Sequence, residues 1–215
     1  MRLLLVGLIA GLAGCGGPRF ALPPGAGPAD EAEFRRHRSV DPETGKLIHS
    51  WSVLVHPDGR VVKHGREQRF HPDGSLRSEA TWRDGAIVGD LRRWYPGGQL
   101  RSVTPFDPGG RLGPMRFWHA NGDLAAEGTA RGGVREGYWR FWYEGGVLRE
   151  QGGYVNGRRT GLWTQCWPDG SVRATGRYQE DERVGPWQHH EPGQVRSDIE
   201  EPWAVPPVVQ ELPRD

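Results

Sequence analysis

The chain has little of what usually announces an activity. Its 215 residues include two cysteines, Cys15 and Cys166, too few for a disulfide framework, and no closely spaced pair supports a zinc site. Net charge is +1, from 28 basic and 27 acidic residues, so no bulk field recruits nucleic acid. The apolar run at the amino end, Leu3 to Gly11, falls well short of the roughly 20 residues that span a bilayer as a helix. There is no Gly-x-Ser-x-Gly elbow, no phosphate-binding Gly-Lys-Ser/Thr loop and no His-Glu-x-x-His. His56 and His71 sit in His-Pro-Asp-Gly turns, and His189 and His190 are adjacent rather than spaced for joint ligation. Asp and Glu are spread along the chain rather than gathered. These absences argue against an enzyme, a bound metal and a cofactor.

What is abundant is glycine, 33 residues of it, interleaved with ten tryptophans. The glycines keep time. Gly65, Gly89, Gly113, Gly137, Gly161 and Gly185 are spaced by 24 residues without a slip. Gly74, Gly98, Gly122, Gly146 and Gly170 keep the same interval, and so do Gly85, Gly109, Gly133 and Gly157, until Asp181 breaks that series. Apolar positions follow: Leu91, Met115, Trp139, Trp163 and Trp187 form one set, and Phe70, Trp94, Trp118, Trp142 and Cys166 another. Asn-Gly, Asp-Gly and Gly-Gly pairs supply the positive backbone angles of tight hairpin turns. Two such turns per period leave two strands of ordinary length. Each period is a β-hairpin, because glycine this frequent costs about 1 kcal/mol per residue in a helix.

The fold class implied is all-β: one elongated antiparallel sheet of tandem hairpins, about 12 strands. Second strands carry a row of small residues, which leaves room for a bulky ring from a neighbouring strand to lie across the backbone. Mid-array, Trp142 is expected to pack in a column with Trp118 and Cys166, and Cys166 serves there as a small apolar residue. The later units are less regular, with Cys166 and His190 in place of aromatics and Gly193 one residue early, which suggests an imperfect last hairpin.

The pattern Gly-x-Trp/Leu-x-x-Trp/Phe-Tyr-x-x-Gly-x-Leu, then a small residue, an aromatic and x-x-Gly, resembles the MORN-repeat variant of bacterial YwqK-type proteins. The resemblance covers about Gly65 to His190. It implies a repeat scaffold for protein contacts, with lipid binding or an antitoxin role as further associations of that family. Aromatic hairpin repeats also occur in modules that bind wall sugars or choline; Trp139-Arg140-Phe141-Trp142-Tyr143 comes closest to their pattern.

The amino end carries an address. Met1-Arg2, the apolar run and Leu12-Ala13-Gly14-Cys15 have the charged start, short apolar core and small-residue site of an export signal. Leu-Ala-Gly-Cys also resembles the bacterial lipobox, which implies cleavage before Cys15, its lipidation and a membrane as partner. Gly16 after that cysteine implies the outer membrane if the cell is Gram-negative. The sequence therefore divides into a lipoprotein signal over 1–14, an anchor and Pro/Gly-rich tether over 15–45, hairpin repeats over 46–199 and a Pro-rich tail over 200–215. A short charged helix is expected within the tether, from Glu31 to Arg38, and Trp203 and Val205 of the tail are candidates to cap the last hairpin.

The expected binding face combines Arg92, Arg116 and Arg140 with Trp94, Trp118 and Trp142, each arginine two residues from its aromatic. Arginine and tryptophan are enriched in binding hot spots. The competing reading is that the arginines only cover buried rings, with Glu79 and Glu127 neutralising part of the stripe. A protein partner, no nucleic acid and a monomeric chain complete the expectation.

Overall fold

The computed structural model describes residues 32–194; Cys15, the tether up to residue 31 and the tail from residue 195 lie outside them. The first strands are β1 (Glu33–Val40), β2 (Leu47–Val55), β3 (Val61–Lys63), β4 (Gly65–Phe70) and β5 (Leu76–Arg83). Then come β6 (Ala86–Trp94), β7 (Leu100–Phe106), β8 (Leu112–Trp118), β9 (Leu124–Arg131) and β10 (Val134–Trp142). The last are β11 (Leu148–Val155), β12 (Arg158–Cys166), β13 (Val172–Gln179) and β14 (Glu182–His189). All belong to one antiparallel sheet in sequence order, except that β3 pairs with β2 off the main path.

The 14 strands exceed the expected dozen for local reasons. A break at His64, beside Gly65 at φ +90°, separates β3 from β4, which share β2 as partner. The segment read as a short charged helix is instead strand β1, aligned along the length of β2 from Glu33↔Val55 to Ser39↔His49. The sheet thus begins inside the stretch read as tether. Pairing with β2 overrides the local charge pattern, and the charges of β1 suit an outer strand.

Both sets of turns form where the glycines place them. At one edge, Gly74, Gly98, Gly122, Gly146 and Gly170 each donate an N–H back to the carbonyl three residues earlier, at 2.9–3.1 Å. At the other edge Asp84-Gly85, Gly132-Gly133 and Asn156-Gly157 have two successive positive φ angles, as two-residue hairpin loops require. Glu180-Asp181 adopts the same conformation without glycine, and the Asp181 carboxylate accepts the Arg159 N–H at 2.9 Å. The hairpin expected to be imperfect is formed, with β13 paired to β14 and the His190 N–H bonded to the Arg173 carbonyl at 3.0 Å.

The core follows from a trade of volume between positions 11 residues apart. Gly128, Gly152 and Gly176 face Trp139, Trp163 and Trp187, whereas Thr104 is followed by Met115 and Ala80 by Leu91. The indoles lie flat against the glycine backbone: a Cβ on Gly152 would stand 2.3 Å from Trp163 Cδ2, and one on Gly128 2.4 Å from Trp139 Cδ2. Phe117, Trp139, Phe141, Tyr154, Trp163, Tyr178 and Trp187 then form an unbroken chain of ring contacts with centroids 5.1–6.3 Å apart. Trp139 and Trp163 are completely buried, and the cluster lies on one face of the sheet. Trp142 is only half-buried, so the expected column through Trp118, Trp142 and Cys166 is not the core; the column three residues earlier is. Cys166 is fully buried, and desolvation pushes its thiol pKa up, as befits a packing residue.

Neighbouring units are also stitched through side chains. A ring donor at each 24-residue step reaches the main-chain carbonyl 23 residues on: His71 to Trp94 at 3.0 Å, Tyr95 to Trp118 at 3.0 Å and His119 to Trp142 at 2.9 Å. Tyr143 reaches Cys166 at 3.0 Å and Trp167 reaches His190 at 3.1 Å. Imidazole, phenol and indole differ, yet each ends in an N–H or O–H at similar reach, and each satisfies a carbonyl at a turn.

Trp163→Ala should lower stability by about 3–5 kcal/mol, whereas half-buried Trp142→Ala should cost clearly less. Gly152→Ala should cost about 1–3 kcal/mol by overpacking against Trp163. Urea titrations of the three variants beside the wild type check this ranking.

Candidate functional site

The face that carries the core changes character along the sheet. The first-strand column that reads Trp139, Trp163 and Trp187 in the later units reads Glu67, Leu91 and Met115 in the earlier ones. The column two residues on reads Arg69 and Arg93 before it becomes Phe117 and Phe141. In the later half, guanidinium groups at the same 24-residue interval cover the rings. Arg135 lies 4.8 Å from the Trp139 ring centre and donates to the Tyr154 hydroxyl at 3.2 Å. Arg159 lies 4.2 Å from the Tyr178 ring centre and Arg183 4.1 Å from that of Trp187. Cation–π contacts of this kind hold the arginines flat over the aromatics.

In the earlier half no indole fills the equivalent space between the strands. A cavity of about 560 Å³ opens there, lined by Arg69, Arg77, Arg93 and Arg101 around Ala80, Ile87 and Leu91. At its end Glu67 is buried among donors: Trp82 Nε1 at 2.6 Å, His49 Nε2 at 2.8 Å, Lys63 Nζ at 3.0 Å and Arg69 Nη2 at 3.3 Å. Burial pushes its carboxyl pKa up, but the bonds from Lys63, His49 and Trp82 and the charge of Lys63 outweigh that and bring it down to about 2. Glu67 therefore stays ionised and fully engaged, anchoring Lys63 4.4 Å from the centre of the Trp82 ring. Among the described residues, no three His, Cys, Asp or Glu side chains gather as a metal set.

The residues singled out from sequence do not form one face. Arg92 is held by Asp90 at 3.0 Å, and Arg116 approaches Glu127 at 3.5 Å. Arg140 lies directly across from Glu127 in the β9–β10 ladder and 5.9 Å from the Tyr138 ring centre. Arg116 and Arg140 thus come together around a carboxylate, in a shallow depression shared with Pro114 and Tyr138. The aromatics do not join them. A register shift falls immediately before each, between Arg93 and Trp94, Phe117 and Trp118, and Phe141 and Trp142, so strand alternation fails at that step. Trp94 lines the cavity beside Arg93 on the opposite face from Arg92, while Trp118 and Trp142 are half-buried and lend their carbonyls to the ring donors. Of the cavity arginines, Arg77 and Arg101 belong to a second-strand row with Arg149 and Arg173 that the sequence displays, whereas Arg69 and Arg93 were less visible because they occupy a column that later turns aromatic.

A single sheet of tandem hairpins, each bonded to the next through its turns, defines a solenoid-like repeat protein. Residues 63–84 and 135–156 match the MORN repeat variant. The two segments begin 72 residues apart, three periods of 24, and start at Lys63 and Arg135, each a cation lying over a ring. No curated protein shows a significant match to the chain.

Glu67 makes the sheet acid-sensitive. Its folded pKa of about 2 lies below the ordinary 4.5, so its stabilisation is complete above pH 4.5 and is lost as pH falls towards 2. Allowing for solvent screening, the loss should be about 2 kcal/mol. Urea midpoints measured between pH 6 and pH 2 should fall more steeply for the wild type than for Glu67→Gln, which starts lower.

Proposed function

We propose that the chain is a non-catalytic lipoprotein of the bacterial envelope whose repeat sheet is a scaffold for a protein partner. Cys15, within Leu12-Ala13-Gly14-Cys15, is the lipidated residue, and the segment up to β1 holds the sheet off the membrane. One observation carries the scaffold reading: stability and exposure are divided along a single surface. The later half of the core face is closed by Trp139, Trp163 and their covering arginines, and the earlier half is left open and lined with guanidinium groups. A sheet that needed only to be stable would continue the indole column to its first unit. Of the rings that carry the likeness to wall-binding modules, Trp139 and Phe141 are buried in the core and Trp142 and Tyr143 are half-buried, which favours the scaffold over a cage of exposed aromatics for sugar or choline.

Lipidation is tested at one atom. Cys15→Ser should remove lipid label and move the protein from the membrane fraction to the soluble fraction on cell fractionation. Unchanged labelling would eliminate the anchor, and with it the envelope assignment.

A further inference from the structure

The scaffold reading leaves open what the exposed half of the sheet receives. We propose that it is a docking trough for an extended acidic polypeptide segment that also carries apolar side chains. This rests on the scaffold reading but not on the anchor.

The trough is longer than one cavity. A second cavity of about 450 Å³ adjoins the first, and Arg69 and Arg77 line both. Together they run from Lys46, beside β2, to Phe117 on β8. The path crosses β2, β4, β5, β6, β7 and β8, about 24 Å at ~4.8 Å per strand. That length suits roughly seven residues of extended chain at ~3.3 Å each. It is too long for a single phosphate or headgroup.

The charges are unbalanced in favour of an anion. Five cations, Lys46, Arg69, Arg77, Arg93 and Arg101, line the two cavities against two carboxylates, Asp41 and Glu67. Both carboxylates are already engaged. Asp41 accepts the Thr44 N–H at 2.7 Å and the Thr44 hydroxyl at 2.9 Å, and Glu67 accepts from four side chains. Arg77 and Arg93 have no carboxylate within ion-pair distance among the described residues. A guanidinium so placed can take a carboxylate with two parallel hydrogen bonds.

The floor decides between anions. Ala80, Ile87, Leu91 and Trp94 lie between the arginines, offering apolar contact that a bare anion cannot use. A bilayer surface is flat and meets exposed charges rather than a recessed apolar floor. A peptide with carboxylates and apolar side chains uses both features, and cavities of this size are typical of ligand sites.

The test uses the full chain and a fluorescein-labelled peptide, Glu-Leu-Glu-Glu-Trp-Glu-Leu-Glu, read by anisotropy at low salt. Saturable binding is expected, weakened at least about tenfold by Arg77→Glu with Arg93→Glu and left within about twofold by Arg158→Glu with Arg177→Glu, which changes charge equally in the other half. A version of the peptide with serine for Leu and Trp should bind clearly more weakly. Equal losses from the two variant pairs would reduce the effect to bulk charge and overturn the proposal, as would equal binding of the serine peptide. Displacement of the peptide by phosphatidylglycerol vesicles, but not by phosphatidylcholine vesicles, would assign the trough to lipid instead. Far-UV spectra and urea midpoints establish that the variants fold, and Arg77→Gln with Arg93→Gln serves if the charge reversal does not. None of these outcomes depends on Cys15, so a failed anchor and a failed trough are read separately.

Discussion

The contact on which the rest of the sheet depends is an indole ring lying flat on a glycine of the adjacent strand. A single-layer sheet has no second layer to press against, so its apolar residues must bury themselves on their own neighbours. Trp139 over Gly128 and Trp163 over Gly152 do this by bringing a large flat group within van der Waals range of bare backbone. The geometry needs the ring to lean sideways. It gains that freedom from a glycine two residues earlier: Gly137 and Gly161 have φ of +74° and +70°, and the register of the adjoining strand pairs shifts close by. Turn glycine, bulge glycine and platform glycine are therefore three different requirements met by one residue type.

The second constraint is at the edges. Every hairpin turn leaves main-chain groups that the ladder does not reach, and in a narrow sheet these edges are a large share of the backbone. Ring donors from His71 to Trp167 satisfy one set of carbonyls. Turn carboxylates and hydroxyls satisfy N–H groups on the next unit, as when Asp123 accepts the Gly145 N–H at 2.7 Å and Ser171 Oγ accepts that of Gly193 at 2.9 Å. Asp73, which accepts from Ser75 and Gly97, is held below the usual carboxylate range by those bonds, the Ser75 hydroxyl foremost. The described sheet is thus closed along its sides by polar contacts and over the later part of its core face by aromatic ones, while the earlier part of that face is left unfilled.

The period, the hairpins, the turns and the role of small residues under rings could all be read in the sequence, because each is a repeated local requirement. What could not be read was which aromatic column is buried. Trp139 and Trp142 are equally periodic, and the choice between them depends on a register shift that alternation does not reveal. The residues grouped as one face do not assemble for the same reason: Arg92 and Trp94 are two residues apart, but the shift before Trp94 puts it on the other side. Strand β1 was missed because its residues look like a solvated helix until a partner strand with unpaired edge groups is set beside them. His71 was legible only as a turn residue; that it and Tyr95 are equivalent donors becomes visible once both are seen to reach the next unit's carbonyl.

The reach of those donors has a consequence for how such a chain can change over generations. Each links residues 23 apart, and the turn-to-turn bonds span 22 to 24 residues, so these ties join a unit only to its neighbour. Duplicating or losing one whole 24-residue unit recreates the same set of neighbours at the splice, and the sheet lengthens or shortens with its stitching intact. Gaining or losing a single residue within a strand does the opposite, since it puts donor and carbonyl out of step across that junction. The molecule is rigid in register yet free in number, so its length is the property most open to inheritance by copying.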